Sequence, residues 1–313
     1  MPKLSLVTFF TLVSVWTLNA QVLSSNIFTA VTDNDIKAVR SFLEKGMDPN
    51  SHDEDGDNLL MYAALYSSIE CMQLLLEKGS DPNAKNSLDE TALMWSVHDP
   101  AKMRVLMQHG ADVNAKAKSG NTPLLIASVG QGKLDAIRLL LDKGADVFAV
   151  NNKKENALIR AALFGDTATI SFLLGKGIAV NAFSQDTVTA LLNAVLNANR
   201  PVIIQLLERG ADPDKDCFSC ITPLVGALIF CDTKSVKAIL TKAKKINEQD
   251  AGGFTPLMWA VYNEYDNVEV IQAMLDKGAD INIIAKDGST ALSWALKKGN
   301  TGTVALLKKA GAK

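Results

Sequence analysis

The six residues "TPLMWA" (Thr255 to Ala260) are nearly repeated by "TALMWS" (Thr91 to Ser96). Aligned on the threonine, the same phrase recurs as "NLLMYA" from Asn58, "TPLLIA" from Thr122 and "NALIRA" from Asn156. It returns as "TALLNA" from Thr189, "TPLVGA" from Thr222 and "TALSWA" from Thr290. The anchors 58, 91, 122, 156, 189, 222, 255 and 290 are 33, 31, 34, 33, 33, 33 and 35 residues apart. So regular a period constrains the fold more than composition does: each unit is one small supersecondary element, repeated and stacked.

A second phrase keeps step. "LEKGMDPN" ends at Asn50, "LEKGSDPN" at Asn83, "MQHGADVN" at Asn114 and "LDKGADVF" at Phe148. "LGKGIAVN", "LERGADPD" and "LDKGADIN" end at Asn181, Asp214 and Asn282. Before it, apolar residues such as Ile69, Met72, Leu75 and Leu76 recur at helical spacing. The glycine that follows supplies a helix stop. Each repeat therefore predicts a turn, a short helix, a second turn, a longer helix, a glycine stop and an extended link.

This pattern resembles the ankyrin repeat, with its T-P-L-H-x-A core and G-A-D-V-N close. The resemblance implies an all-α ankyrin-repeat solenoid of about nine helix-turn-helix units with β-hairpin-like turns. The repeats fall at 26–50, 51–83, 84–114, 115–148, 149–181, 182–214, 215–247, 248–282 and 283–313, after a short segment 21–25. The family's histidine position holds Met61, Met94, Leu125, Ile159, Leu192, Val225, Met258 and Ser293. Apolar packing is expected there in place of histidine hydrogen bonds. Length changes in the repeats of Thr91 and Thr255 fall between the helices, where turns absorb them at low cost. Such a helix pair cannot bury its apolar face alone, so stacking must supply the core. Asp33, Asp35 and Lys37 at one end, and Lys297, Lys298, Lys308 and Lys309 at the other, suit polar caps.

The first twenty residues stand apart. Lys3 precedes the uncharged run Leu4 to Leu18, and Ala20 offers a small residue for cleavage. This predicts a signal peptide over 1–20, the run being shorter than the about 20 residues of a membrane span. No later segment approaches a span, so no membrane association is expected after cleavage. The absence of any N-x-Ser/Thr acceptor leans towards a bacterial periplasm or medium. Apolar residues at 48%, charged residues at 21% and a net charge of −2 fit a globular chain. The basic spots at 242–245 and 297–309 lack interleaved aromatics, which argues against nucleic acid as partner.

Catalytic motifs are missing. "GQGK" (Gly130 to Lys133) lacks the spacing of a phosphate loop, and "DEDGD" (Asp53 to Asp57) reads as an acidic turn tip. His52, His98 and His109 have no metal-ligand spacing. Neither an enzyme nor a cofactor or metal is expected. In "CFSC", Cys217 and Cys220 stand in the turn before Thr222, and Cys220 replaces the glycine seen at Gly56, Gly120, Gly253 and Gly288. A tight turn brings its ends within disulfide reach. A structural bridge is favoured, with free thiols or a redox dithiol as alternatives. Cys71 and Cys231 read as free, mostly buried thiols.

The resemblance implies a non-enzymatic module that binds a protein through its concave face and turn tips. Tyr62, Trp95, Trp259 and Trp294 share one position on the first helix, as packing wedges or as groove lining. Further along it stand Leu65, Tyr66, Leu163, Phe164, Leu196, Ile229, Phe230 and Tyr262, with Phe218, Ile221 and Phe254 at the tips. Apolar residues at positions unneeded for a core point to a partner. The expected protein is a monomer, exported to the periplasm or medium. A thiol-redox or chaperone-like protein using Cys217 and Cys220, or a secreted effector aimed at a host protein, are the alternatives.

Overall fold

A computed structural model describes residues 27–215, 221–262 and 267–313. The described residues form two compact units: those up to Ala127 with Asp135–Asp146, and Ser128–Leu134 with the residues from Val147 onward.

In the first unit the helix Ile36–Glu44 precedes the pairs Leu59–Tyr66 with Ile69–Glu77 and Ala92–Trp95 with Pro100–Gln108, then Pro123–Ala127 and Leu134–Asp142. The second unit pairs Ala157–Phe164 with Thr167–Gly175, Ala190–Leu196 with Arg200–Glu208, and Pro223–Phe230 with Thr233–Lys242. Pro256–Tyr262 with Val268–Asp276, and Ala291–Lys298 with Thr301–Lys309, complete it. Within each unit, first helices pack on first helices and second on second, giving the ankyrin solenoid arrangement.

The repeated phrase is a helix start. The anchor side chain of Asn58, Thr122, Asn156, Thr189, Thr222, Thr255 and Thr290 accepts a hydrogen bond from the N–H three residues on. Thr91 alone among the anchors makes no such cap, and its helix is the shortest. The residue three positions on is the one that lacks the family's histidine. It is a buried apolar side chain at Met61, Met94, Leu125, Ile159, Leu192 and Met258. Val225 is half-buried, and Ser293 instead closes a capping box with Thr290.

The second phrase is a helix stop with a ladder. Gly79, Gly110, Gly144, Gly210 and Gly278 have φ between +85° and +96°, and the next N–H reaches back to a carbonyl of the last helical turn. The closing asparagine then joins neighbouring repeats. Asn83 donates to Gly110 O at 2.9 Å and accepts from Asp112 N at 2.7 Å, and Asn50, Asn114, Asn181 and Asn247 repeat both bonds. In the seventh repeat Ala243 replaces the glycine, with φ −64°.

The turns before the first helices, here called fingers, place a left-handed residue two positions before the anchor wherever that residue is described. Gly56, Asp89, Gly120, Lys154, Thr187, Gly253 and Gly288 all have positive φ, so the conformation is kept even where glycine is not. Adjacent fingers are tied by backbone bonds: Ser87 N to Asp55 O and Lys118 N to Leu88 O, and in the second unit Gln185 N to Lys153 O and Lys286 N to Gly252 O.

Candidate partner-binding surface

The aromatic position of the repeated phrase is a brace. Tyr62 Oη donates to Asp53 Oδ2 at 2.7 Å, and Trp95 Nε1 to Glu90 Oε2 at 3.0 Å. Trp259 Nε1 donates to Asp250 Oδ2 and Trp294 Nε1 to Ser289 Oγ, both at 2.9 Å. Arg160, at the same position, pairs with Glu155 at 3.1 Å. Each polar tip thus holds the finger against its own first helix, while the ring is half-buried. Asn193 turns instead to Ile159 O of the preceding repeat, at 2.9 Å. Gly226 has no room for a ring: a Cβ there would lie 3.0 Å from Val195 Cγ1.

The braces are linked. In the first unit the Tyr62 ring centroid lies 5.1 Å from Phe28, 6.1 Å from Tyr66 and 6.3 Å from Trp95. In the second, Phe254 sits 5.9 Å from Trp259 and 6.0 Å from Trp294, and Tyr262 meets Trp294 edge-on at 4.9 Å. Phe254 is therefore a half-buried bridge between two repeats as well as a finger residue. Lys297 and Lys298 lay their ammonium groups over Trp294 and Tyr262, at 4.6 and 4.4 Å.

Beyond the braces the first helices change character. Leu65, Leu163 and Ile229 are half-buried, as is Ile221 in its finger. The neighbouring positions open to solvent: Tyr66 is 55% exposed, Phe164 54%, Phe230 48%, Leu196 42% and Tyr262 41%. The last four stand on consecutive, directly packed helices of the second unit. Phe218, Cys217 and Cys220 lie outside the described residues, as does the segment 1–20. Several exposed apolar residues escape the sequence reading, among them Leu88, Phe183 and Ile284 on fingers. Comparing each finger position across repeats would have found Phe183 and Ile284, since His52, Lys85 and Lys116 hold the equivalent place.

Electrostatics follow the same geometry. The hydrogen bond to Asp53, aided by burial, pushes the Tyr62 phenol up to about 12. Burial raises the Asp57 carboxyl, opposed by the Asn86 hydrogen bond and reinforced by Asp53, Asp55 and Glu90. Lys102 is buried and donates to Ala63 O and Ala64 O, capping the helix Leu59–Tyr66, and burial lowers its pKa. Cys71 is buried and Cys231 half-buried; both are free thiols whose pKa burial raises, Cys231 to about 11. Among the described residues no helix is long and apolar enough to cross a membrane.

The family described as "Ankyrin repeats (3 copies)" matches residues 24–86, 80–151, 130–217 and 222–313. The chain belongs to the ankyrin repeat family. Among curated relatives it is 46% identical over 50 residues to the mouse DNA-binding protein RFXANK, covering 16% of this chain and 18% of that one. Mouse Ankyrin repeat family A protein 2 is 43% identical over 56 residues, 18% of this chain and 17% of that one. The mouse serine/threonine-protein kinase TNNI3K is 37% identical over 83 residues, 23% of this chain and 10% of the kinase. The chain thus spans less than a fifth of the length of each of these relatives. What they share with it is the ankyrin repeat, a protein–protein interaction module.

Proposed function

We propose that this ankyrin-repeat protein is an exported, non-enzymatic module that binds a protein partner on its first-helix face and finger tips. The observation that carries the reading is the second unit's exposed row, Phe164, Leu196, Phe230 and Tyr262, on helices whose other apolar residues are buried or half-buried. Side chains there add no core, and exposed apolar surface of this kind favours association. Tyr62, Trp95 and Trp259 contribute ring edges and set the angle of the fingers. In the second unit Leu163, Ile221, Ile229 and Phe254 form a half-buried floor, and in the first unit half-buried Leu65 stands next to exposed Tyr66. The export reading rests on the Lys3 to Ala20 pattern.

Affinity capture from the native compartment tests both parts. Wild-type bait should retain a protein that the Phe164→Ser/Phe230→Ser variant does not. The intact mass of the native bait should begin at or near Gln21. Equal retention by both baits would remove the binding face, and a mass beginning at Met1 would remove export.

A further inference from the structure

In the first unit an aromatic face adjoins two acidic fingers. Tyr66 and Leu88 are exposed, and the half-buried Tyr62 ring contacts both Tyr66 and the half-buried Trp95 ring. The fingers 51–58 and 84–91 carry Asp53, Glu54, Asp55, Asp57, Asp89 and Glu90 against the single Lys85. The bond from Ser87 N to Asp55 O, at 2.9 Å, holds the two fingers side by side. The next finger reverses sign, with Lys116 and Lys118. These two fingers therefore set six carboxylates against one lysine in a chain whose net charge is only −2.

Among the described residues none of these six carboxylates joins an ion pair. Asp57 and Glu90 share the neutral amide of Asn86, and Asp53 accepts from the Tyr62 phenol. Lys102, in the same repeat as the second finger, directs its charge to two helix carbonyls instead. Burial is the main cause of the raised Asp57 carboxyl, and the neighbouring Asp53, Asp55 and Glu90 add to it against the Asn86 hydrogen bond.

We propose that this face docks a cationic, Lys/Arg-bearing protein segment, its stems against Tyr66 and Leu88 and its charges among the finger carboxylates. The inference rests on the protein-binding reading above and adds the partner's chemistry. Guanidinium groups stack on aromatic faces and pair with carboxylates in a planar fork, so both halves of the surface are used. An acidic segment would meet like charge here and be rejected.

The test is fluorescence anisotropy of labelled synthetic peptides of Arg-Ser-Leu repeats, titrated with the full protein at low salt, and of their Glu-Ser-Leu counterparts. The arginine peptide should bind at least about tenfold more tightly, with affinity falling as salt is added. Glu54 and Asp55 are exposed, so Glu54→Gln/Asp55→Asn should leave the fold intact and weaken binding about three- to tenfold. Glu77→Gln/Glu208→Gln removes the same charge from exposed second-helix sites and should change little. Tyr66→Ser should weaken the arginine peptide by about tenfold without lowering the melting temperature. Equal binding of the two peptides, or equal weakening by the two charge variants, would overturn the proposal. Were Phe164→Ser/Phe230→Ser to abolish capture of the native partner while the arginine peptide failed to bind, this inference would fall and the binding-module reading would stand.

Discussion

Gly253 and Gly288 occupy the same finger position with nearly the same backbone, φ +83° and +81°, yet alanine should affect them differently. For both, a left-handed L-residue costs about 1–2 kcal/mol, offset by about 0.4–1 kcal/mol from a less flexible unfolded chain. Gly288 has open space where the Cβ would go, so Gly288→Ala should cost about 1 kcal/mol or less. At Gly253 the Cβ would lie 2.8 Å from Lys286 N and 3.2 Å from Ala285 Cα, both backbone atoms of the next repeat. Neither atom can rotate away. The fingers must part, weakening the 3.0 Å bond from Lys286 N to Gly252 O. Overpacking of about 1–3 kcal/mol and a lost bond of about 0.5–1.5 kcal/mol then add to the backbone cost. Gly253→Ala should therefore lose about 1.5–6 kcal/mol. Urea unfolding of the two variants, with hydrogen exchange at the Lys286 amide, measures the difference. Matching midpoints, with Lys286 equally protected in both, would refute the claim that the fingers touch here.

Tyr62→Phe should remove a pH-dependent contribution: the folded phenol holds its proton up to about 12 against an ordinary 10.0, so the contribution is complete below pH 10 and lost as pH rises through 12. The stability gap between wild type and variant in alkaline melts should close across that window. Asn83→Ala removes one donated and one accepted inter-repeat bond, and should cost about 1–2 kcal/mol in chemical unfolding, being exposed. Alkylation of denatured native protein without reductant should label Cys71 and Cys231 but spare Cys217 and Cys220; labelling of all four would exclude a Cys217–Cys220 bridge.

Repeat number, helix order and the capping role of the second-phrase glycines were legible because each repeat must meet the same neighbours. A recurring contact leaves a recurring residue. The aromatic braces were only half legible. Position on a helix does not say where a ring's polar edge turns, and the acceptors stand five residues earlier for Trp95 and Trp294 but nine for Tyr62 and Trp259. No single spacing announces them. The left-handed conformation at Asp89, Lys154 and Thr187 was likewise hidden, since only glycine advertises it. The inner-face positions were legible through the resemblance to the family, but it did not separate the exposed Tyr66, Phe164, Leu196, Phe230 and Tyr262 from the half-buried Leu65, Leu163 and Ile229, because one helical step turns a side chain by about 100°.

The central claim is that the exposed first-helix row binds a protein. The dissociation constant of the partner captured by wild type, measured for Phe164→Ser/Phe230→Ser alongside thermal melting, tests it most directly. Two central aromatic anchors should be worth about a hundredfold or more in affinity, with melting shifted by no more than about 2 °C. Unchanged affinity with unchanged melting would contradict the account, and a large fall in melting temperature would show that the two rings belong to the core.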